Sequence, residues 1–328
     1  MATYVTVGST GVRVSPLCMG TMSFGSEADF DTSATMFRAC REAGINFFDT
    51  ANVYGDGASE EILGKLIAGS RDDLVISSKV FFPTGGDVNA SGLSRRHIMR
   101  AVEASLTRLG TDRLDFYFVH NFDPSLPMDQ TLRALDDLVR SGKILYPAVS
   151  NWAAWQIALA LGTSAREGLA RFELIQPMYN LARRQAEVEI LPLALAAGLG
   201  VTPYSPLGGG LLTGKYGVGT RPASGRLVDN ELYIDRYSLE SDYQTAERFA
   251  AFATEAGLKP ATLAVAWVMS HPGVTAPIIG ARHPEQLADS LAALSLEMTP
   301  ELRSAVAALS PAPAPANDRT ETLKPSRS

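Results

Sequence analysis

Cysteine is nearly missing from this chain: 328 residues hold two, Cys18 and Cys40, both in segments that read as buried. A disulfide framework is therefore excluded and a reducing compartment is favoured. No run of 18 or more apolar residues occurs, so no transmembrane helix is expected. The stretch Met1–Gly8 has neither the basic region nor the apolar core of a secretory leader, and a cytoplasmic location is expected. Positive charge is in deficit, with 29 Lys and Arg against 35 Asp and Glu and a net charge of -6. General attraction to nucleic acid or to an anionic membrane is excluded, and any anionic ligand must be met by local cations. No metal is expected, and oligomeric state stays open.

What the chain does have is alternation. Short apolar runs bounded by turn residues read as strands at Pro16–Thr21, Ile45–Phe48, Leu74–Val80, Leu114–Val119, Ile144–Val149, Leu174–Gln176, Leu199–Pro203 and Ala276–Ile279. Segments of helical period lie between them: Thr32–Ala43, Ser59–Ile67, Ser94–Leu109 with Ser94 as N-cap, Met128–Val139, Trp152–Leu161, Glu187–Ala197, Asp242–Ala256 and Pro260–Ser270. Pro284–Leu294 reads as the last helix. A hairpin, Tyr4–Val7 and Gly11–Ser15, precedes them. The glycine-rich stretch from Gly208 to about Tyr237 shows no period and reads as a long functional loop. About eight strand–helix units with no break in composition predict one (β/α)₈ barrel over residues 1–310. The Pro-Ala run after Ser310 predicts a disordered tail over 311–328. An open nucleotide-binding sheet is less favoured, because Gly20-Thr21-Met22-Ser23-Phe24-Gly25 does not match Gly-x-Gly-x-x-Gly and opens no helix.

Four side chains fall at or just past successive strand ends: Asp49, Tyr54, Lys79 and His120. Taken singly each has a plain reading. An Asp or Lys after a strand usually makes a loop salt bridge, a His there is usually structural, and a Tyr in a turn often only packs. Collected at one buried place they are costly, which favours chemistry. Tyr54 is the candidate proton donor, Lys79 the cation that would lower its pKa, Asp49 the anchor of the ammonium, and His120 a donor to a carbonyl oxygen. A carbonyl protonated on oxygen needs a nucleophile at carbon. None of the four supplies one, which points to hydride from a nicotinamide cofactor.

The chain resembles the aldo-keto reductases, most of all the branch that includes the potassium-channel β-subunits, from about Val5 to about Leu294. The likeness rests on Val7-Gly8-Ser9-Thr10-Gly11-Val12-Arg13-Val14-Ser15, on Phe48-Asp49-Thr50-Ala51-Asn52-Val53-Tyr54-Gly55 with Ser59-Glu60, and on Ser77-Ser78-Lys79. It continues through His120-Asn121-Phe122-Asp123-Pro124, Val149-Ser150-Asn151, Thr202-Pro203-Tyr204-Ser205-Pro206-Leu207 and Ile279-Gly280-Ala281-Arg282. The resemblance implies a catalytic tetrad of Asp49, Tyr54, Lys79 and His120. It implies nicotinamide contacts from Ser150, Asn151 and Gln176, with Tyr204 against the ring and Gly20, Thr21 and Met22 beside it. Ser205, Pro206, Leu207, Gly209, Leu211 and Lys215 would follow the pyrophosphate, and Gly280, Arg282, Gln286 and Asp289 the adenosine end. Arg282 suits a 2′-phosphate and favours NADP(H). Its second cation is not obvious and Ser290 stands where relatives often carry Asn, so NAD(H) is also open. Pro147, inside a strand, is expected to bend the rim.

The function expected is reversible reduction of an aldehyde or ketone. A cofactor-sensing module like the channel β-subunits, and an enzyme oxidising an alcohol or sugar, are the alternatives. Met22, Phe24, Tyr54, Phe81, Phe82, His120, Phe122 and Trp152 would line an aromatic pocket for a small-molecule carbonyl substrate.

Overall fold

A computed structural model describes residues 4–319. A hairpin of β1 (Val5–Thr6) and β2 (Arg13–Val14) precedes eight strands: β3 (Cys18–Gly20), β4 (Phe47–Asp49), β5 (Val75–Val80), β6 (Leu114–Val119), β7 (Ile144–Ser150), β8 (Leu174–Gln176), β9 (Gly200–Val201) and β10 (Ile278–Ile279). All eight lie in one parallel sheet in the order β10-β3-β4-β5-β6-β7-β8-β9. The sheet comes round on itself: Ile278 N–H donates to Pro203 O at 2.8 Å, and Thr275 and Ala276 N–H donate to Val201 O at 2.8 and 3.2 Å. These bonds satisfy the edges that an open sheet would leave, which is how a barrel is made.

Helices α1 (Phe30–Glu42), α2 (Ala58–Ile67), α3 (Arg95–Leu109), α4 (Met128–Arg140), α5 (Ala154–Glu167) and α6 (Ile190–Ala197) alternate with the strands. Ser94 caps α3 as expected, its hydroxyl accepting from His97 N–H. The segment read as one long loop instead contains a 3₁₀ stretch, Gly208–Thr213, and two short helices, α7 (Arg226–Asp229) and α8 (Glu231–Arg236). Then come α9 (Glu240–Glu255), α10 (Pro260–Met269), α11 (Pro284–Leu291) and a further helix, α12 (Pro300–Ala307), beyond the one read as last. Thr299 caps it and Pro300 opens it. Residues 311–319 contain no helix or strand, and 320–328, the rest of the expected tail, lie outside the described residues.

Period-2 alternation sorts the strand residues into two cores. Cys18, Phe47, Val75, Phe116, Phe118, Ala148, Leu174 and Ala276 form one buried cluster inside the barrel, joined by Val7 and Val14 of the hairpin segment. Met19, Phe48, Ile76, Tyr117, Val119, Val149 and Ile175 face outward into the larger cluster under the helices. Gly8 shows why the hairpin can seat so closely. At φ 48°, a Cβ there would stand 2.5 Å from Gly198 O. Pro147 pairs with Tyr117 in mid-strand, so it lies within β7 and not at its rim.

Candidate active site

Continuing the same alternation past the last inward apolar residue of each strand puts Asp49, Ser77, Lys79, His120, Ser150 and Gln176 on the interior face. Register aligns Gly20 with Asp49, Asp49 with Ser77, and Ser150 with Gln176. The hydrophobic interior thus ends in a polar layer at the carboxyl ends of the strands, where barrels place their chemistry.

Lys79 is the centre of that layer and is fully buried. Its ammonium donates to Asp49 Oδ2 at 2.5 Å, to Thr50 O at 2.7 Å and to the Tyr54 hydroxyl at 3.3 Å. Asp49 Oδ1 accepts from Ser77 Oγ at 2.7 Å and from Gln176 Nε2 at 3.1 Å, so the carboxylate is held from both sides. Burial pushes the lysine pKa down, but the Asp49 carboxylate and the Tyr54 hydroxyl raise it further, and the net shift is upward. The ammonium therefore stays charged. Burial also raises the Tyr54 pKa and outweighs the lowering by Lys79, with Asp49 adding to the rise. The sequence reading expected the reverse, because it counted the cation and not the desolvation.

The His120 ring meets that of Tyr54 edge-on with centroids 6.1 Å apart. Burial, then the Lys79 charge, holds its pKa well below the ordinary histidine value. A neutral imidazole results, with its buried Nδ1 lacking a protein partner. Asn151 Nδ2 donates to His120 O at 2.9 Å and Tyr204 Oη to Asn151 Oδ1 at 2.8 Å. One hydrogen-bonded chain thus ties the ends of β6, β7 and β9.

The residues expected to line the cofactor and substrate divide clearly. Ser150 Oγ donates to Gln176 O at 2.9 Å. Thr21 is committed inside: its hydroxyl meets Asp49 O at 3.2 Å and Ser59 Oγ at 2.7 Å. Leu211 belongs to the outer core, and Asp289 pairs with Lys259 at 2.6 Å. Gln286 Oε1 accepts from Arg282 N–H at 3.1 Å. Phe24 and Trp152 do not face an open mouth. They are 0% and 4% exposed, and Trp152 packs edge-on to Phe122 and Phe172 in the outer core. Their bulk makes them core once helices cover them. Phe81 and Phe82 stand with His120 beside the mouth, Phe82 with its ring centroid 4.9 Å from that of His120, and Met22 is 37% exposed.

Four further residues went unremarked in the sequence. Tyr233 of α8 raises the pKa of both Tyr54 and Tyr204 by its proximity, and Arg236 stacks on its ring at 5.0 Å. Gly209, at φ 68°, lets that ring approach: a Cβ would lie 2.6 Å from Tyr233 Cδ1. Arg226 of α7 and Glu27 of the turn after β3 pair at 3.1 Å, and Glu27 also meets Arg282 at 3.7 Å. Lys215 is near enough that Arg282 and Arg226, after burial, lower its pKa. Arg282 therefore has two further cations near it, Arg226 and Lys215, both on the covering segment. Gly208, Gly209 and Gly210 all have positive φ, and a Cβ at Gly210 would stand 3.8 Å from Lys215 Nζ; such a glycine run beside a cation suits an anionic ligand.

A parallel barrel whose strand ends gather a carboxylate, an ammonium, a phenol and a neutral imidazole defines a barrel oxidoreductase type of site. The chain belongs to the aldo/keto reductase family, whose model matches residues 16–310. The family comprises oxidoreductases that use nicotinamide cofactors. Over 313 residues, 91% of this chain and 93% of the relative, it is 39% identical to an uncharacterized oxidoreductase, YrpG, of Bacillus subtilis. It is 38% identical over 308 residues (91% and 94%) to a protein of Oryza sativa named "Probable voltage-gated potassium channel subunit beta". It is 32% identical over 324 residues (91% and 94%) to a versiconal hemiacetal acetate reductase of Aspergillus parasiticus. Among the described residues no helix is long and apolar enough to cross a membrane, and no group of three or more His, Cys, Asp or Glu is placed to hold a metal.

Proposed function

We propose that this protein is an NADP(H)-dependent reductase of aldehydes or ketones, with Tyr54 as the general acid. The observation that carries the reading is the Tyr54 hydroxyl 3.3 Å from a buried ammonium that is itself fixed by Asp49. A phenol of raised pKa is protonated near neutral pH and can give its proton to an oxygen that becomes alkoxide-like. The adjacent ammonium then stabilises the phenolate left behind. Neutral His120 donates a hydrogen bond to the same carbonyl oxygen and orients it without adding charge. Arg282, Arg226 and Lys215 hold the phosphate groups, and Ser150, Asn151 and Gln176 the carboxamide. The bound nicotinamide supplies hydride, the one component these side chains lack.

The same raised pKa leaves little Tyr54 phenolate to act as base near neutrality, so alcohol oxidation needs alkaline conditions and reduction is the favoured direction. The partially exposed Phe81, Phe82 and Phe122 favour aromatic or bulky apolar carbonyl compounds. We assign the barrel to residues 1–310 with 311–328 as an appended tail. Two buried free thiols, Cys18 and Cys40, fit a reducing, cytoplasmic setting. A cofactor-sensing role is the second reading, favoured by the channel-subunit name of the rice relative. Titration of protein fluorescence with NADPH and NADH, followed by a panel of carbonyl substrates, separates the readings. The reductase reading expects NADPH binding and steady consumption with aromatic aldehydes. Binding without consumption of any carbonyl compound would replace it with the sensing role.

A further inference from the structure

Glu27 sits where its charge has a consequence for the nucleotide. Its turn is rigid: Ala28 and Ser26 N–H both donate to Ser23 O, at 2.9 and 3.2 Å, and Gly25 N–H donates to Ala28 O at 2.8 Å. The turn is also fastened to the segment that carries Arg282, because Ser23 Oγ donates to Ala281 O at 2.7 Å. From this fixed base the Glu27 carboxylate reaches two guanidiniums of different origin. One, Arg226 at 3.1 Å, belongs to the covering segment; the other, Arg282 at 3.7 Å, belongs to the barrel rim. The two arginine side chains are 26% and 31% exposed and Glu27 is 37% exposed, so the group is partly desolvated but within reach of a ligand. A single carboxylate therefore occupies both arginines and ties the covering segment to the rim.

We propose that Glu27 is a specificity-determining residue for the nucleotide, an internal anion that a 2′-phosphate must displace and a free 2′-hydroxyl need not. The inference rests on the reading of Arg282 and Arg226 as the phosphate end of the site. A phosphate approaching Arg282 meets the like charge of Glu27 beside it and has to break its contacts, which offsets part of the gain from two guanidiniums. A nucleotide without that phosphate leaves the Glu27 bridge in place. The residue thereby narrows the preference that the two arginines would otherwise create and keeps NAD(H) usable. It also holds the covering segment shut when no nucleotide is bound.

The test is fluorescence titration of the full chain, wild type and Glu27→Gln, with NADPH and NADH at low salt and at about 1 M salt. In Glu27→Gln the NADPH Kd falls about fivefold at low salt, the size expected for one partly exposed charge, while the NADH Kd stays within about twofold. The difference shrinks at high salt, and the nucleotide-free variant is cut faster by protease between Lys215 and Arg236. An unchanged ratio of the two Kd values, or weaker NADPH binding in the variant, overturns the proposal and leaves the site reading intact. Wild type binding neither nucleotide overturns the site reading and this inference together. A matching thermal melt of the variant shows that it is folded.

Discussion

Splitting the Asp49–Lys79 pair separates stability from catalysis. Both groups are buried, 2% and 0% exposed, and their polar atoms stand 2.5 Å apart. Lys79→Met strands a carboxylate among two neutral donors, Ser77 and Gln176. Asp49→Asn strands an ammonium with only Thr50 O and the Tyr54 hydroxyl. Stranding one charge of a buried pair costs about 3–5 kcal/mol. The upper bound comes from the escape route, in which the stranded group neutralises itself. Moving an ordinary lysine to its neutral form at pH 7 costs about 4.6 kcal/mol, and an ordinary carboxyl about 4.2 kcal/mol. Each single variant should therefore lose about 3–5 kcal/mol. The Asp49→Asn/Lys79→Met double variant strands nothing and should recover about 2 kcal/mol or more beyond additivity. Turnover behaves differently: in all three variants it falls by about 100-fold or more, because Tyr54 has lost either its cation or the cation's position. Urea unfolding followed by fluorescence, together with carbonyl-dependent NADPH consumption, measures both. Single variants within about 0.5 kcal/mol of wild type, or a double variant with wild-type turnover, would refute the reasoning.

The depressed His120 pKa sets a pH expectation. Because the folded protein binds that proton less readily than the unfolded chain, the histidine costs stability as pH falls below the ordinary value of 6.5, while kcat/KM for reduction shows no inflection there. A titration in kcat/KM centred on 6.5 that disappears in His120→Asn would contradict the neutral imidazole. Gly209→Ala forces a side chain into a left-handed backbone and against Tyr233, a cost of about 1–2 kcal/mol borne by the covering segment. Faster proteolysis between residues 215 and 236 and a higher KM for the nucleotide are expected, with little change in the global melt. Unchanged proteolysis would show that the segment does not depend on that approach.

Much of this architecture was legible in the residues. Ser94 before a helical run is a strong N-cap signal, and the structure uses it. The barrel followed from alternation, and the polar layer from where each apolar run stopped. Other parts had weak local signals. Helices α7 and α8, of four and six residues, are too short for a helical period to show, and their place is fixed by packing. Helix α12 did announce itself, through Thr299 and Pro300, but Pro284–Leu294 reads as the last helix and the residues between it and the tail are given no element from sequence. Phe24 and Trp152 follow strands as mouth residues do, and only the helices that cover them decide that they are core. Glu27 looks like any turn acid, because its two arginines lie 199 and 255 residues away in sequence. The upward shift of Tyr54 was missed for a related reason. Residue types reveal the lysine beside it, whereas desolvation is a property of the folded surroundings.

The central claim is that Tyr54 delivers the proton, and the direct test is Tyr54→Phe assayed by absorbance loss of NADPH with 4-nitrobenzaldehyde. The substitution removes one oxygen, and that hydroxyl contacts only Lys79 among the described hydrogen bonds. Nucleotide affinity should stay within about twofold of wild type while kcat falls by about 100-fold or more. A variant that keeps more than about a tenth of wild-type kcat, a loss of only about 1.4 kcal/mol in transition-state stabilisation, would contradict the assignment.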